Sequence, residues 1–265
     1  MVFKTMLYPS FSNPWWLAVR FAFSVVFGLK RSFRQDSIYF ISKLRPPLQI
    51  LGADCIPTSG PVLITMNHYY RPGFRAWWLA LGINSLVPAD ISWIMAAAWT
   101  FPNQFLGELR TTITQNVFRR IAYVYSLTTM PPMPPRPHET LARALAVRKV
   151  LDLIRSQSRA GFPPIIGLAP EGGDNLSGTL AMPASGVGRF IYHLDRSGLI
   201  IHPVGAYEQD GVFIVHFGQP YHLSISDGLS PDQRDTHVRT VVMQRIAFLL
   251  PDRLRGEFDQ SEITG

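Results

Sequence analysis

Two apolar runs in the sequence each lead into side chains that can take part in proton transfer. The run from 61 to 65 is followed by Asn67 and His68, and the run from 163 to 169 is followed by Glu171. Neutral imidazole is a common general base near neutral pH, and a carboxylate beside it can fix its tautomer and stabilise the developing charge. His68 is therefore the candidate base, with Glu171 or a backbone carbonyl as its partner. The alternative is a histidine that caps a strand and hydrogen-bonds locally.

Two glycines follow Glu171, and they allow the backbone of this segment to approach a ligand closely. Gly172 and Gly173 have no Cβ, and their backbone amides can donate hydrogen bonds to a phosphate or an oxyanion. We predict that Gly172 and Gly173 bind substrate. An ordinary tight turn is the alternative for the glycines.

The elements that must position these residues read as strands that alternate with helices. Continuous apolar runs such as 61–65 and 163–169 are typical of strands that are buried on both faces of a parallel sheet. Two more strand-like segments cover 199–207 and 211–218. The sequence therefore predicts an α/β fold with a mostly parallel sheet flanked by helices. Because ligand sites in such sheets lie outside the carboxyl ends of the strands, we expect His68 and Glu171 in one crevice.

Helices are predicted over 103–121, 138–159 and 183–196, and a last one begins at Ser230 with a capping box and stops at Pro251. The segment from 130 to 137 contains five prolines and is predicted to be a stiff connector. In the second of these helices, four apolar residues are predicted to share one face: Leu141, Leu145, Leu151 and Ile154.

Composition narrows the class of protein further. The chain has 265 residues, of which 47% are hydrophobic and 16% are charged, so a substantial core is expected and a mainly disordered chain is excluded. Its single cysteine, Cys55, has no partner for a disulfide, which favours a reducing, cytosolic environment. The seven histidines show no metal-ligand spacing, so no metal site is predicted.

The basic residues are concentrated at the start of the chain. Residues 1–45 contain seven lysines and arginines against Asp36 alone, which gives +6 of the formal net charge of +7. They flank an apolar run, Trp15 to Leu29, which is shorter than the roughly 20 residues of a spanning helix and contains Arg20. We predict a membrane-associating leader over 1–45 that binds anionic lipid, followed by a domain over 46–265, with no nucleic-acid partner. A short tilted anchor and a helix packed on the protein's own core are the alternatives.

Three short blocks follow one another along the chain: Asn67-His68, then 170–172 (Pro-Glu-Gly), then 201–205 (Ile-His-Pro-Val-Gly). Their order and spacing resemble those of the glycerol-phosphate and lysophosphatidate acyltransferase family, and the resemblance extends over roughly 48–222. It implies transfer of a fatty acyl group from acyl-CoA or acyl-carrier protein, as a co-substrate, to the hydroxyl of a lysophospholipid or another lipid alcohol. His68 would be the base, and Asn67 and Glu171 would lie in the substrate-binding site. No bound cofactor would be needed, and the protein would lie at the cytoplasmic face of a membrane.

The sequence departs from the family pattern at several positions. Gly73 stands where the family has an aspartate, and Gly173 and Asp174 stand where threonine and arginine are usual. The segment 121–129 has no counterpart of the family's phosphate-binding arginine. A second hypothesis is therefore a catalytically silent, lipid-binding relative.

A cluster of aromatic residues after His68 has two interpretations. On the first, it lines an acyl-chain groove or lies in the bilayer interface. On the second, it packs in the core. Its members are Trp77, Trp78, Trp93, Trp99 and Phe101.

Overall fold

The computed structural model describes residues 8–11, 15–101, 104–132, 139–173, 175, 177–226 and 228–259, and these form a layered α/β structure. The strands are β1 (Gln49–Leu51), β2 (Val62–Met66), β3 (Ile91–Ala96), β4 (Thr128–Met130), β5 (Ile165–Leu168), β6 (Ile200–Gln209) and β7 (Val212–Phe217). The α-helices are α1 (Trp15–Phe27), α2 (Phe33–Ser42), α3 (Trp77–Leu86), α4 (Gly107–Tyr125), α5 (Thr140–Arg159), α6 (Val187–Arg196) and α7 (Pro231–Ala247).

The strands form one seven-stranded sheet in the order β1-β7-β6-β2-β5-β3-β4. β7 pairs antiparallel with β6, and every other neighbouring pair is parallel. The predicted α/β class, with a mostly parallel sheet and flanking helices, is confirmed. β2 lies at the centre of this order, between β6 and β5, so the segment that leaves its carboxyl end is surrounded by the ends of other strands.

The two strands that precede the candidate motifs are buried along their whole length. Every residue of β2 and of β5 is buried, as expected for central strands of a parallel sheet that is covered on both faces. β6 is likewise buried from Ile201 to Glu208 and extends beyond the end of β2. The strands predicted from the apolar runs are thus confirmed, with ends that differ by up to two residues.

The last two helices hold each other in place through a carboxylate. α7 begins with the predicted capping box, in which Ser230 and Gln233 exchange hydrogen bonds. Asp235 on α7 accepts backbone N–H donors from Gly186 and Arg189 at the start of α6. This carboxylate satisfies amide groups that have no partner within the helix, and α6 begins at residue 187 rather than at the predicted 183.

The predicted apolar face of α5 is wrong in part, although Leu151 is half-buried against the core as expected. Leu141 and Leu145 are exposed, whereas Ile154 is buried on the same side as Ala146 and Val150. The spacing of Ala146, Val150 and Ile154 is four residues, which places them on one helical face. This face, which has smaller side chains, is the one that packs against the sheet.

The predicted leader contributes to the packed domain. α2 lies against α3, the guanidinium of Arg34 donates to the carbonyl of Val87, and Leu44 is buried in the main core. α1 buries only Leu17 and Ser24 among its described residues. Phe21 of α1 also stacks on Tyr125 at the end of α4. The membrane-associating leader and the helix packed on the protein's own core both stay predictions. Among the described residues, no helix is long and apolar enough to cross a membrane.

The proline-rich segment and the aromatic-rich region can be compared with the sequence prediction only in part. The proline-rich segment is described as far as Pro132, and its remainder over 133–138 lies outside the described residues, as does Asp174. β3 and α3 occupy an aromatic-rich region for which the sequence predicted no particular element.

Candidate active site

His68 and Glu171 are brought together by the pairing of β2 with β5. The two strands are parallel neighbours, with Thr65 opposite Leu168, so the segments that follow them leave the sheet at the same edge. There the backbone N–H of His68 donates a hydrogen bond to Oε2 of Glu171 at 2.6 Å. Both residues therefore lie together at the carboxyl ends of the strands, and His68 is half-buried.

The carboxylate of Glu171 connects two loops. Its other oxygen, Oε1, accepts a hydrogen bond from the backbone N–H of Ala181 at 3.0 Å. Burial raises the pKa of Glu171 to about 7, while the N–H donors of His68 and Ala181 and the electrostatic attraction of His68 oppose this rise. A partly buried carboxyl group that titrates near neutral pH beside a histidine is typical of sites that transfer protons.

The hydrogen bond between Glu171 and His68 runs through the main chain of the histidine. The sequence suggested Glu171 as a partner for the imidazole ring, but this bond engages the amide of residue 68 instead. Glu171 therefore fixes the path of the chain at the candidate base and is a positioning residue in this arrangement. A carboxylate that orients the ring itself stays a prediction.

Asn67 extends the sheet beyond the end of β2. Its side-chain amide donates to the carbonyl of Ala206 at 2.9 Å, and its side-chain oxygen accepts the N–H of the same residue at 2.7 Å. The Asn67 side chain is buried and repeats the pairing that a further strand residue would make with β6. It thus holds the start of the His68 loop against β6, and the predicted contact of Asn67 with substrate stays a prediction.

A buried ion pair that the sequence did not suggest holds the same loop farther along. Arg71 makes a two-pronged contact with the carboxylate of Glu208, and its Nη2 donates to Oε1 at 2.8 Å. Glu208 is buried near the end of β6, and the guanidinium also stacks 3.9 Å from the ring centre of Tyr8. No sequence signal links residues 71 and 208, because their contact depends on how far β6 extends past β2.

The ionisation state of the neighbouring Tyr69 follows mainly from its burial. Burial, together with the negative charge of Glu208, raises the pKa of Tyr69 to about 12. Tyr69 therefore keeps its proton at neutral pH and is not a candidate base. His68, immediately before it, remains the candidate on this loop.

Gly73 occupies a backbone conformation that favours glycine. Its φ is +80°, and a Cβ at this position would point to Nη1 of Arg71 at 3.7 Å. An aspartate here, as in the resembled family, would therefore start from a strained backbone. Its carboxylate would also begin next to Arg71, which is already bound to Glu208.

The two glycines of the second motif differ in their surroundings. Gly172 has a φ of +74° and donates its N–H to the carbonyl of Ala169 at 3.1 Å, which closes a tight turn after β5. Gly173 is exposed, and no described atom lies within 4 Å of the position of an added Cβ. The turn interpretation accounts for Gly172, and the predicted contacts of both glycines with substrate stay predictions.

An apolar cavity of about 150 Å³ adjoins the loop that carries Glu171. It opens at the carboxyl ends of β3, β4 and β5 and lies against the start of α6, so it shares the edge of the sheet with His68. Its lining includes Met95, Met130, Leu168, Gly172, Val187 and Phe190. An alkyl chain of a substrate is the kind of group that such a lining accommodates.

The aromatic cluster divides between the core and the surface. Trp78 and Trp93 are buried in the core, and the indole N–H of Trp93 donates to Asn84. Trp77 and Trp99 are exposed. None of the cluster's residues lines the apolar cavity, so core packing explains the first pair and leaves the exposed pair for another role.

Another histidine, His222, lies away from this edge, and its ring is paired with a carboxylate. Nδ1 of His222 is 2.9 Å from Oδ1 of Asp195. The neighbouring Tyr221 bridges to Ile201 at the start of β6, whereas His68 lies beyond the end of β2, which runs parallel to β6. The His222 pair therefore sits toward the amino end of the strands and serves as an internal comparison for His68. No group of three metal-ligating side chains occurs within the described part of the chain.

No protein-family model matches the chain, and no curated protein matches it in sequence. Among solved structures, the chain is similar to the 1-acyl-sn-glycerophosphate (LPA) acyltransferase PlsC from Thermotoga maritima, with a TM-score of 0.44 and 14% identity. The likeness covers 82% of this chain and 77% of that chain. It is a distant likeness to the fold of an acyltransferase, and nothing about substrates or catalytic residues follows from it.

Proposed function

We propose that this protein transfers a fatty acyl group from acyl-CoA or acyl-carrier protein to the hydroxyl of a lysophospholipid or another lipid alcohol. The observation that carries the proposal is the placement of His68 beside Glu171, at the edge of the sheet onto which an apolar cavity opens. A base, a fixed loop and an apolar cavity are the parts that acyl transfer to a lipid hydroxyl requires.

In the proposed reaction, the imidazole of His68 takes the proton of the acceptor hydroxyl while the oxygen of this hydroxyl attacks the thioester carbonyl. The carbon–sulfur bond then breaks, and the imidazolium returns the proton to the departing thiolate. The atoms balance without a covalent acyl-enzyme and without a bound cofactor. Asn67 and Glu171 keep the His68 loop in place during both steps, through their bonds to β6 and to the amide of residue 68.

The decisive experiment measures free thiol released from acyl-CoA in the presence of a panel of lipid hydroxyls. His68→Ala is expected to abolish release, because the proton of the acceptor then has no base. His222→Ala is the matched control, since it removes another histidine that lies at the other end of the strands. Equal rates for wild type and His68→Ala would remove His68 from the mechanism.

A catalytically silent, lipid-binding relative is the second candidate, and Gly73 favours it. The family's aspartate is absent, and the backbone at this position has a φ of +80°. On this hypothesis, the protein binds lysophospholipid and acyl-CoA but releases no thiol with any acceptor. Binding by wild type without turnover would select it over the enzyme.

We further propose that the protein works as a peripheral protein at the cytoplasmic face of a membrane, in contact with anionic lipid. This is supported by the exposed apolar side of α1, which includes Trp15, Phe23 and Val26, and by the basic residues that flank it. Lipid substrates are then available from the bilayer to which the protein is bound.

A further inference from the structure

Helix α4 turns an apolar row toward solvent. Leu109, Ile113 and Val117 follow each other at intervals of four residues and are 53%, 53% and 44% exposed. The side of the helix that packs against the protein carries Gly107 and Ala122, and Val124 is buried near the end of the helix. A helix of a soluble domain normally turns its apolar row to the core. The row on α4 has no cover among the described parts of the chain.

The connection from β3 to α4 continues this apolar row. Trp99, Phe105 and Leu106 are exposed, Phe105 by 88%. Trp99 is held on the helix, because its backbone N–H and carbonyl both bond to the hydroxyl of Thr114. The connection leaves the carboxyl end of β3, and β3 is parallel to β5. These exposed side chains therefore emerge from the edge of the sheet that carries His68 and Glu171.

Cationic side chains lie beside the row and at its end. Arg110, Arg119 and Arg120 are exposed on α4, and Glu108 is the helix's only acidic residue. On a helical projection, Arg110 lies beside the apolar row and Arg120 lies at its end, three residues after Val117, whereas Arg119 lies on the far side of the helix. Long arginine side chains cover apolar surface with their stems while the charged ends reach a polar layer. An apolar row with cations at its margins matches a surface of alkyl chains beneath anionic headgroups.

α1 lies next to α4 and has the same character. The ammonium of Lys30, just beyond α1, donates to the carbonyl of Tyr123 at the end of α4. An open cleft of about 540 Å³ follows α1, and its lining includes Arg20, Lys30 and Phe23. α1 exposes a row of its own, formed by Trp15, Val19, Phe23, Val26 and Phe27.

We propose that α4 and the β3–α4 connection are a second membrane-binding element, which docks with α1 on an anionic bilayer and brings the carboxyl edge of the sheet to the lipid. The charge at the margins of the row is what favours a bilayer over a protein partner. The proposal extends the membrane partner of the proposed function. Because lipid binding is measured without turnover, its failure and the failure of acyl transfer are distinguishable.

The test replaces the row with Leu109→Ser, Ile113→Ser and Val117→Ser in the full chain and measures co-sedimentation with vesicles that contain phosphatidylglycerol. Each of these side chains would otherwise leave water on binding, so the partition coefficient is expected to fall by about tenfold or more. The matched control is Leu141→Ser with Leu145→Ser, a similarly exposed pair on α5. The control should bind within about twofold of wild type on the same reasoning.

A second variant tests the charge. Arg110→Gln with Arg120→Gln should lower binding to phosphatidylglycerol vesicles and leave the weaker binding to pure phosphatidylcholine unchanged. Circular dichroism and the thermal midpoint verify that each variant is folded. The proposal is overturned if the α4 serine variant binds vesicles as wild type does, or if the α5 control loses as much binding. It is also overturned if the serine variant loses a dimer in size-exclusion chromatography while vesicle binding persists.

Discussion

Replacing Glu171 with glutamine tests whether its carboxyl group is as buried as the structure has it. The pKa of this group is raised from 4.5 to about 7, mainly by burial. An acid whose pKa is higher in the folded state binds its proton more tightly there. The associated stability is fully present below pH 4.5, and it is lost as the pH rises through about 7.

The size of the effect on the free energy of unfolding follows from the shift in the pKa of Glu171. One pKa unit corresponds to about 1.4 kcal/mol, so ionisation of Glu171 lowers the free energy of unfolding by about 3 kcal/mol between acidic and mildly alkaline pH. Glutamine does not ionise and lacks this dependence. It does lose one acceptor, because its amide nitrogen faces either the N–H of His68 or that of Ala181, at a cost of about 1–2 kcal/mol at every pH.

The assay is urea unfolding of wild type and Glu171→Gln at several pH values from about 5 to 8, analysed by linear extrapolation. The free energy of unfolding of the variant, relative to wild type, is expected to improve by about 2–3 kcal/mol across this range. Glu257→Gln is the control for a carboxyl-to-amide change, since Glu257 is exposed and also accepts a backbone N–H, from Met182. If the wild-type and Glu171→Gln curves run parallel, burial of the Glu171 carboxyl group is refuted.

Two further substitutions probe the contacts that hold the His68 loop. Asn67→Ala removes both bonds to Ala206 and leaves a buried backbone N–H and carbonyl without partners, so the free energy of unfolding in urea should fall by about 2–3 kcal/mol; a loss below about 0.5 kcal/mol would contradict the observed pairing. Glu208→Gln takes the charge from the ion pair with Arg71, which is largely shielded from water. It should lower stability by about 2 kcal/mol in thermal unfolding, and a rise in the midpoint would show that the pair is not a stabilising contact.

The central strands were predictable because their environment leaves a simple signal. β2 and β5 are buried on both faces, so every position is apolar or small and the run stands out from its surroundings. The rule that sites form at the carboxyl ends of parallel strands then predicts that His68 and Glu171 meet, and they do. The first step needs no knowledge of the neighbouring strands, whereas the second holds because β2 and β5 are paired.

The faces of the helices were harder to predict, since more than one row of residues satisfies helical spacing. On α5, Leu141 and Leu145 are larger than Ala146 and Val150, yet the smaller pair is buried. On α4, the residues with the clearest apolar spacing are the ones that face solvent. Which row packs inward depends on the shape of the surface that the helix meets, and this is a property of the assembled fold.

The atomic contacts of the site depend on the same long-range information. The bond from Asn67 to Ala206 and the ion pair of Arg71 with Glu208 both arise because β6 continues past the end of β2. The sequence predicted a strand over 199–207, which ends one residue before Glu208. A shift of the strand end by two residues therefore concealed the partner of Arg71.

The absence of the family's aspartate at position 73 has a different meaning once these contacts are considered. An imidazole that acts as a general base must be held close to the proton of the acceptor. Disorder of the loop that carries it therefore lowers the rate of acyl transfer. Here three contacts restrain the loop: the amide of Asn67 on β6, the N–H of His68 on Glu171, and the guanidinium of Arg71 on Glu208. An aspartate at Gly73 would compete with Glu208 for Arg71 and would loosen one of the three. The glycine is therefore consistent with a site in which the loop backbone, rather than a carboxylate at position 73, positions the histidine.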